Sequence, residues 1–287
     1  MWQAVGDAMG YEFEFQKNPK SMDYVRKYLG DSKIKISDDT QMTYFGLRAI
    51  ATYLATGAES PSLAQKLIKM EYLNWYHTQL VGRKVPGVPK EMYSYMAPGG
   101  ATMRSMGEID LYGVRKPNDA RGCGSVMRLL PFVCGILPDD QAEKLARYSG
   151  KVTHDSKESD EAVRKLFKYA RMLEIHGSAA LDVLRTNEPL IAKAKKITEL
   201  GSGFYAIECV NMALWALLHH SDDPMIMFTV ATVHPGDSDS VAAVTGCLYG
   251  LMTKSEPTQE RWDRVKEGKV LLAQVNEVDS ALNIAYN

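Results

Sequence analysis

Gly236-Asp237-Ser238-Asp239-Ser240-Val241-Ala242-Ala243-Val244-Thr245-Gly246-Cys247-Leu248-Tyr249-Gly250-Leu251-Met252 places two carboxylates, two residues apart, at the mouth of an apolar run of small residues. The run shows no period-two alternation, so it reads as a helix rather than a strand. Ser37-Asp38-Asp39-Thr40 repeats the design far upstream, opening an apolar segment from Gln41 to Thr56 that also reads as a largely buried helix. One Ser or Asp is enough to cap a helix. Two adjacent aspartates between two hydroxyls exceed that need.

Working outward, the rest of the chain reads as helices too. Met1 to Phe15 forms a short helix whose Gly6 and Gly10, one turn apart, let another backbone approach closely. Glu14 lies at its end between Phe13 and Phe15, an apolar setting that raises a carboxyl pKa. Gln16 to Ile36 connects, with turn signals at Asn18-Pro19 and Gly30-Asp31. Ser60-Pro61 opens a helix to about Gln79, and Pro138-Asp139-Asp140 opens one to about Gly150. Ser156 or Ser159 caps a helix reaching Ile175, and Asp222-Asp223-Pro224 caps one to Val233. Val81 to Ala120, with the turn Ala97-Pro98-Gly99-Gly100-Ala101-Thr102, is the least regular region. Arg121-Gly122-Cys123-Gly124-Ser125 reads as a glycine loop feeding a helix from Val126 to Leu137, a place where backbone N–H groups can meet an anion. It fits neither the P-loop nor the dinucleotide fingerprint. The expectation is one all-α domain over residues 1–287, with no linker or composition break.

Composition excludes several classes. A formal net charge of −1 makes no electrostatic case for nucleic acid or a membrane surface. No apolar run approaches the roughly 18 residues that span a bilayer. Met1-Trp2-Gln3-Ala4 shows no signal peptide, and Cys123, Cys134, Cys209 and Cys247 form no C-x-x-C pair, so they read as reduced thiols of a cytoplasmic protein. Nothing local activates Cys123 as a nucleophile.

Carboxylates and hydroxyls are hard donors that suit Mg²⁺ or Mn²⁺ rather than zinc. Four aspartates brought together without metal would repel one another. Four also suggest two ions, which can orient substrate oxygens and activate water. An EF-hand is excluded, because Ala242 stands where its glycine must be. Prenyl-diphosphate chemistry wants D-D-x-x-D, and Asp38-Asp39 is followed by Thr40, Gln41 and Met42. A binding protein that keeps the cleft without turnover is the remaining alternative.

Five motifs occur in order: Gly6-Asp7-Ala8-Met9-Gly10 with Glu14, Ser37-Asp38-Asp39-Thr40, Gly122-Cys123-Gly124-Ser125-Val126-Met127-Arg128, Thr153-His154 and Gly236-Asp237-Ser238-Asp239-Ser240. The set resembles the ADP-ribosylglycohydrolase family, which includes dinitrogenase reductase-activating glycohydrolase and the ADP-ribosylarginine hydrolases. The resemblance implies an all-helical fold around a central dimetal site. It implies that Ser37, Asp38, Asp39, Asp237, Asp239 and Ser240 hold two Mg²⁺ ions, with Mn²⁺ possible, and that Glu14, Asp39 and Asp237 are catalytic. It implies that Gly99, Gly100, Gly122, Cys123, Gly124 and Ser125 face a diphosphate, with Met127 in the same motif. His154 and the Gly203-Phe204-Tyr205 turn would line the ADP-ribose cleft. The implied substrate is an ADP-ribosylated protein or ADP-ribosyl small molecule, with arginine the expected linkage and serine the alternative. Two departures stand out: serine replaces the threonine of many relatives at Ser37 and Ser240, and Asp155 follows His154.

Overall fold

The structure is a computed structural model that describes residues 1–14, 33–57 and 60–286. The expected turns at Asn18-Pro19 and Gly30-Asp31, and Phe15, lie outside the described residues. The longer helices are α1 (Trp2–Tyr11), α2 (Asp38–Ala55), α3 (Pro61–Thr78), α4 (Gly100–Tyr112), α5 (Asp139–Lys151), α6 (Lys157–His176), α7 (Ala206–His220), α8 (Pro224–Thr232), α9 (Ser238–Thr253) and α10 (Gly268–Tyr286). Shorter helical segments join them. Among the described residues there is no strand, only isolated bridges pairing Ile34 with Val265 and Gly122 with Tyr205.

Helix α9 is the axis of the fold. It packs against α1, α6, α7 and α8, and nearly every residue from Ser238 to Met252 is buried. That is why its sequence is apolar all round. Its contact with α1 is antiparallel and made backbone to backbone. A Cβ on Gly6 would lie 2.1 Å from the carbonyl oxygen of Ala242, one on Gly10 would lie 2.3 Å from that of Ser238, and one on Gly246 would lie 2.2 Å from that of Trp2. Glycines one helical turn apart thus let the two helices touch, as their spacing predicts. Trp2 anchors the start of α1, stacked on Phe228 and edge-on to Tyr249. The antiparallel sense brings the end of α1, and Glu14 just beyond it, to the start of α9.

Capping follows the sequence closely. Ser37 Oγ accepts from Asp39 N (3.2 Å), Ser156 caps α6 through Ser159 N, and Asp223 caps α8 through Met225 N and Ile226 N. Two expectations fail. The irregular region contains the 13-residue helix α4, hidden behind a Gly99-Gly100 start and closed by left-handed Gly113 (φ 75°). The helix expected from Val126 to Leu137 is instead a 3₁₀ turn, Cys123–Ser125, followed by the four-residue helix Leu130–Val133. Pro131 cannot donate inside a longer helix, so helical periodicity there did not make one. Among the described residues no helix is long and apolar enough to cross a membrane.

Candidate metal centre

The first turn of α2 and the first turn of α9 face each other across the end of α1. Asp38 and Asp39 open α2, while Asp237 caps α9 by accepting from Ser240 N (3.2 Å). Asp239 Oδ1 accepts from the same amide (3.0 Å). Single ligand atoms of Glu14, Asp237 and Asp239 all lie within 4.8 Å of one another. Asp39 Oδ2 and Glu14 Oε2 are buried with no hydrogen-bond partner among the described residues. Orphaned oxygens beside other carboxylates fit a hard divalent cation, which would satisfy them and cancel their repulsion.

Electrostatics agrees with the geometry. Burial, followed by the charges of Asp237, Asp38 and Asp7, pushes Glu14 up to about 8. Burial and then Asp7 hold Asp38 and Asp39 well above the usual carboxylate range, and burial and then Asp39 do the same to Asp239. Such a set resists ionising together unless a cation joins it.

The position of the α2 aspartates depends on Asp7, a residue whose role the sequence did not reveal. Its carboxylate, fully buried on α1, accepts from Ser37 N (3.0 Å) and Thr40 N (3.0 Å). It therefore ties the middle of α1 to the start of α2. Burial raises its pKa to about 6, against the lowering effect of those hydrogen bonds. The one available signal was an acid enclosed by Val5, Gly6, Ala8 and Met9.

A cleft of about 450 Å³ rises above these carboxylates. Glu14, Asp38, Asp39, Asp237, Asp239 and Ser240 line it below; Gly99, Gly100, Gly122, Cys123, Gly124, Met127, His154 and Phe204 line its walls. Ala97, Pro98, Ala101 and Thr102 join them, which the sequence reading treated only as a turn. Ala97 has a left-handed backbone (φ 52°), unusual for a residue with a side chain. The loop is strapped to α2: Asp38 N donates to the Met96 carbonyl (3.2 Å) and Gly99 N to Asp38 Oδ2 (3.4 Å).

Several expected residues stand behind the walls. Ser37 is buried and occupied in capping, and Ser125 is buried with its hydroxyl on the Gly122 carbonyl. Gly203 (φ 87°) packs beneath the cleft, where a Cβ would lie 2.7 Å from Val241 Cγ2. Tyr205 is half exposed beside the Arg121 guanidinium, 5.1 Å from its ring centre. The glycine loop is joined to this turn by Cys123 N to the Phe204 carbonyl (3.1 Å) and Ala206 N to the Arg121 carbonyl (2.9 Å). Its amides are therefore mostly used: Val126 N and Met127 N both donate to the Cys123 carbonyl. The helix N-terminus that opens on the cleft is that of α4. The Cys123 thiol meets Asp237 Oδ2 (2.6 Å), and burial followed by that carboxylate raises its pKa well above the usual thiol range, so it is no nucleophile. All four cysteines are free thiols.

Comparison with known proteins agrees with this architecture. The family profile described as ADP-ribosylglycohydrolase matches residues 3–285. A solved structure described as an ADP-ribosylglycohydrolase-related protein complex superposes with a TM-score of 0.65 at 22% identity, covering 99% of this chain and 95% of that one. No curated protein matches the chain. With the profile covering nearly its whole length and the all-helical fold shared, the chain belongs to the ADP-ribosylglycohydrolase family of hydrolases.

Proposed function

We propose that the chain is a Mg²⁺-dependent hydrolase, able to use Mn²⁺, that removes ADP-ribose from modified protein side chains, above all from arginine. The observation that carries this reading is the convergence of Glu14, Asp237 and Asp239 within 4.8 Å at the floor of a cleft also lined by Asp38 and Asp39. Asp38, Asp39, Asp237, Asp239 and Ser240 would hold two ions, with Ser37 as a further hydroxyl ligand. Bound there, the ions would supply positive charge and Lewis acidity.

The chain's own groups do the rest. The start of α4 offers the backbone N–H groups of Gly100, Ala101 and Thr102 to the diphosphate, since the first turn of a helix leaves them unpaired, while Gly99 N is held by Asp38 Oδ2. The walls hold the ribose in one geometry and exclude bulk water. The bond between the anomeric carbon and the side-chain nitrogen breaks through an oxocarbenium-like state, water adds to that carbon, and guanidine leaves. Glu14, with Oε2 unpaired and a raised pKa, takes or delivers the proton. The arginine preference is supported by the serine-bearing motifs, which look closer to the ADP-ribosylarginine hydrolases.

The test uses two peptides of matched sequence, one modified on arginine and one on serine, with enzyme stripped by chelator and then resupplied with Mg²⁺ or Mn²⁺. The expected result is metal-dependent release, at least roughly tenfold faster from arginine, a difference of about 1.4 kcal/mol in barrier. Equal release by stripped enzyme would remove the metal from the reading. Faster release from serine would reverse the linkage.

A further inference from the structure

Arg128 is fully buried, and among the described residues no carboxylate lies within ion-pair distance of it. Its guanidinium sits 4.8 Å from the Tyr72 ring centre and donates from Nη2 to the Ser149 carbonyl (2.7 Å) and to Thr153 Oγ1 (2.6 Å). A guanidinium can only donate, so Thr153 Oγ1 accepts. The Thr153 hydroxyl hydrogen then needs an acceptor of its own. Thr153 is fully buried, and the acceptor within reach is His154 Nδ1 at 2.8 Å. If Nδ1 carried the imidazole hydrogen instead, that hydroxyl hydrogen would be buried unpaired, the costlier arrangement. The neutral ring therefore carries its hydrogen on Nε2.

Nε2 faces the cleft. His154 is 3% exposed and lines the cavity, and Nε2 has no hydrogen-bond partner among the described residues. A Cβ on Gly122 would lie 3.3 Å from Nε2, and one on Gly124 would lie 2.7 Å from Cε1 and 3.3 Å from Nε2. The two glycines thus leave the ring edge uncovered: a side chain at position 124 would collide with it, and one at position 122 would crowd it. The charges acting on the ring are the cations Arg128 and Arg115, and the adjacent Asp155 is paired with Arg115 (2.8 Å). Burial, followed by these cations, lowers the His154 pKa to about 3, which keeps the ring neutral.

We propose that Arg128, acting through Thr153, is a positioning residue that locks His154 in the Nε2–H tautomer. His154 then gives this hydrogen to an acceptor oxygen of the bound ligand. A diphosphate oxygen of ADP-ribose has the right chemistry, and this second step rests on the function proposed above. The lock itself is a property of the free protein.

Two-bond ¹H–¹⁵N correlation spectra of the full chain labelled with ¹⁵N-histidine test it, the His154 signal being assigned by its loss in H154Q. The expected spectrum is a neutral Nε2–H ring from pH 5 to 8 in the unmodified protein and in T153S. In T153V the ring should populate Nδ1–H. An Nδ1–H ring or an imidazolium at pH 6 in the unmodified protein would overturn the lock, as would an unchanged tautomer in folded T153V. ADP-ribose titrated calorimetrically in chelator should bind T153V weaker by roughly three- to tenfold, the range of one lost hydrogen bond, and T153S normally. Equal affinity in a T153V protein with a switched tautomer would overturn the donation to ligand alone. Failure of ADP-ribose to bind the unmodified protein would instead overturn the ligand drawn from the proposed function.

Discussion

Replacing Gly10 by alanine tests how tightly the candidate metal centre depends on the contact between α1 and α9. The added methyl would sit 2.3 Å from the Ser238 carbonyl oxygen and 2.5 Å from Asp239 Cα, where ordinary contact begins at 3.4 Å. Both neighbours are backbone, so no rotamer change relieves the clash. The helices must separate by roughly one ångström, and overpacking of this kind costs about 1–3 kcal/mol. Helix propensity pulls the other way, since alanine in a helix is favoured over glycine by about 1 kcal/mol. The net expectation is a loss of up to about 2 kcal/mol, seen as a fall in Tm of up to roughly 4 °C for a chain of this size. The functional loss should be larger. Glu14 follows Gly10 by one turn, and its oxygen must stay with those of Asp237 and Asp239 inside 4.8 Å. Metal coordination tolerates about 0.2 Å, so a one-ångström separation should weaken Mg²⁺ binding at least tenfold. Melting curves and Mg²⁺ calorimetry measure the two effects. Gly107→Ala is the control, because its methyl would meet only the Tyr76 side chain, nearest at the hydroxyl 3.0 Å away. A G10A protein with unchanged Tm and an unchanged Mg²⁺ isotherm would refute the reasoning.

Three further outcomes follow from the site. In chelator, stability should fall as pH rises from 6.5 to 8, because Glu14 (about 8) keeps a proton in the folded state that the unfolded chain has released. Glu14 by itself contributes a slope of at most about 1.4 kcal/mol per pH unit, less because part of it meets water. The raised Asp38, Asp39 and Asp239 add in the same direction, and saturating Mg²⁺ should flatten the whole; pH-dependent melts decide. His154, lowered to about 3, acts oppositely and only below about 6.5, where the unfolded chain takes the proton. Asp39→Asn and Asp237→Asn should both lose Mg²⁺ binding, while Asp39→Asn melts higher than the unmodified protein in chelator because like-charge repulsion is relieved; an unchanged Mg²⁺ isotherm in both would remove these aspartates from the centre. Glu14→Gln should still bind ADP-ribose yet lose roughly 10²-fold or more in turnover, and a near-normal rate would take Glu14 out of the proton transfer.

The sequence by itself determined the fold class and pointed to the acidic residues that the structure gathers in the candidate centre. Helical periodicity, Ser37, Ser156 and Asp223 as caps, and the Gly6/Gly10 spacing are local facts, and local hydrogen bonds and sterics enforce them wherever the chain goes. What the sequence could not determine were relations between distant elements. Asp7 reads as an ordinary acid until α1 lies against the start of α2, where its carboxylate takes the amides of Ser37 and Thr40. Helix α4 was hidden by glycines that look like a loop, and only its packing shows a helix N-terminus facing the cleft. Gly122 and Gly124 suggested a phosphate cradle; both line the cleft, and only the packed structure shows that their missing side chains also make room for the His154 ring. Arg128 stood in a recognised motif with no role to read. Its effect passes through Thr153 to His154, and hydrogen bonds between residues 25 positions apart in the chain exist only once the helices that carry them have packed.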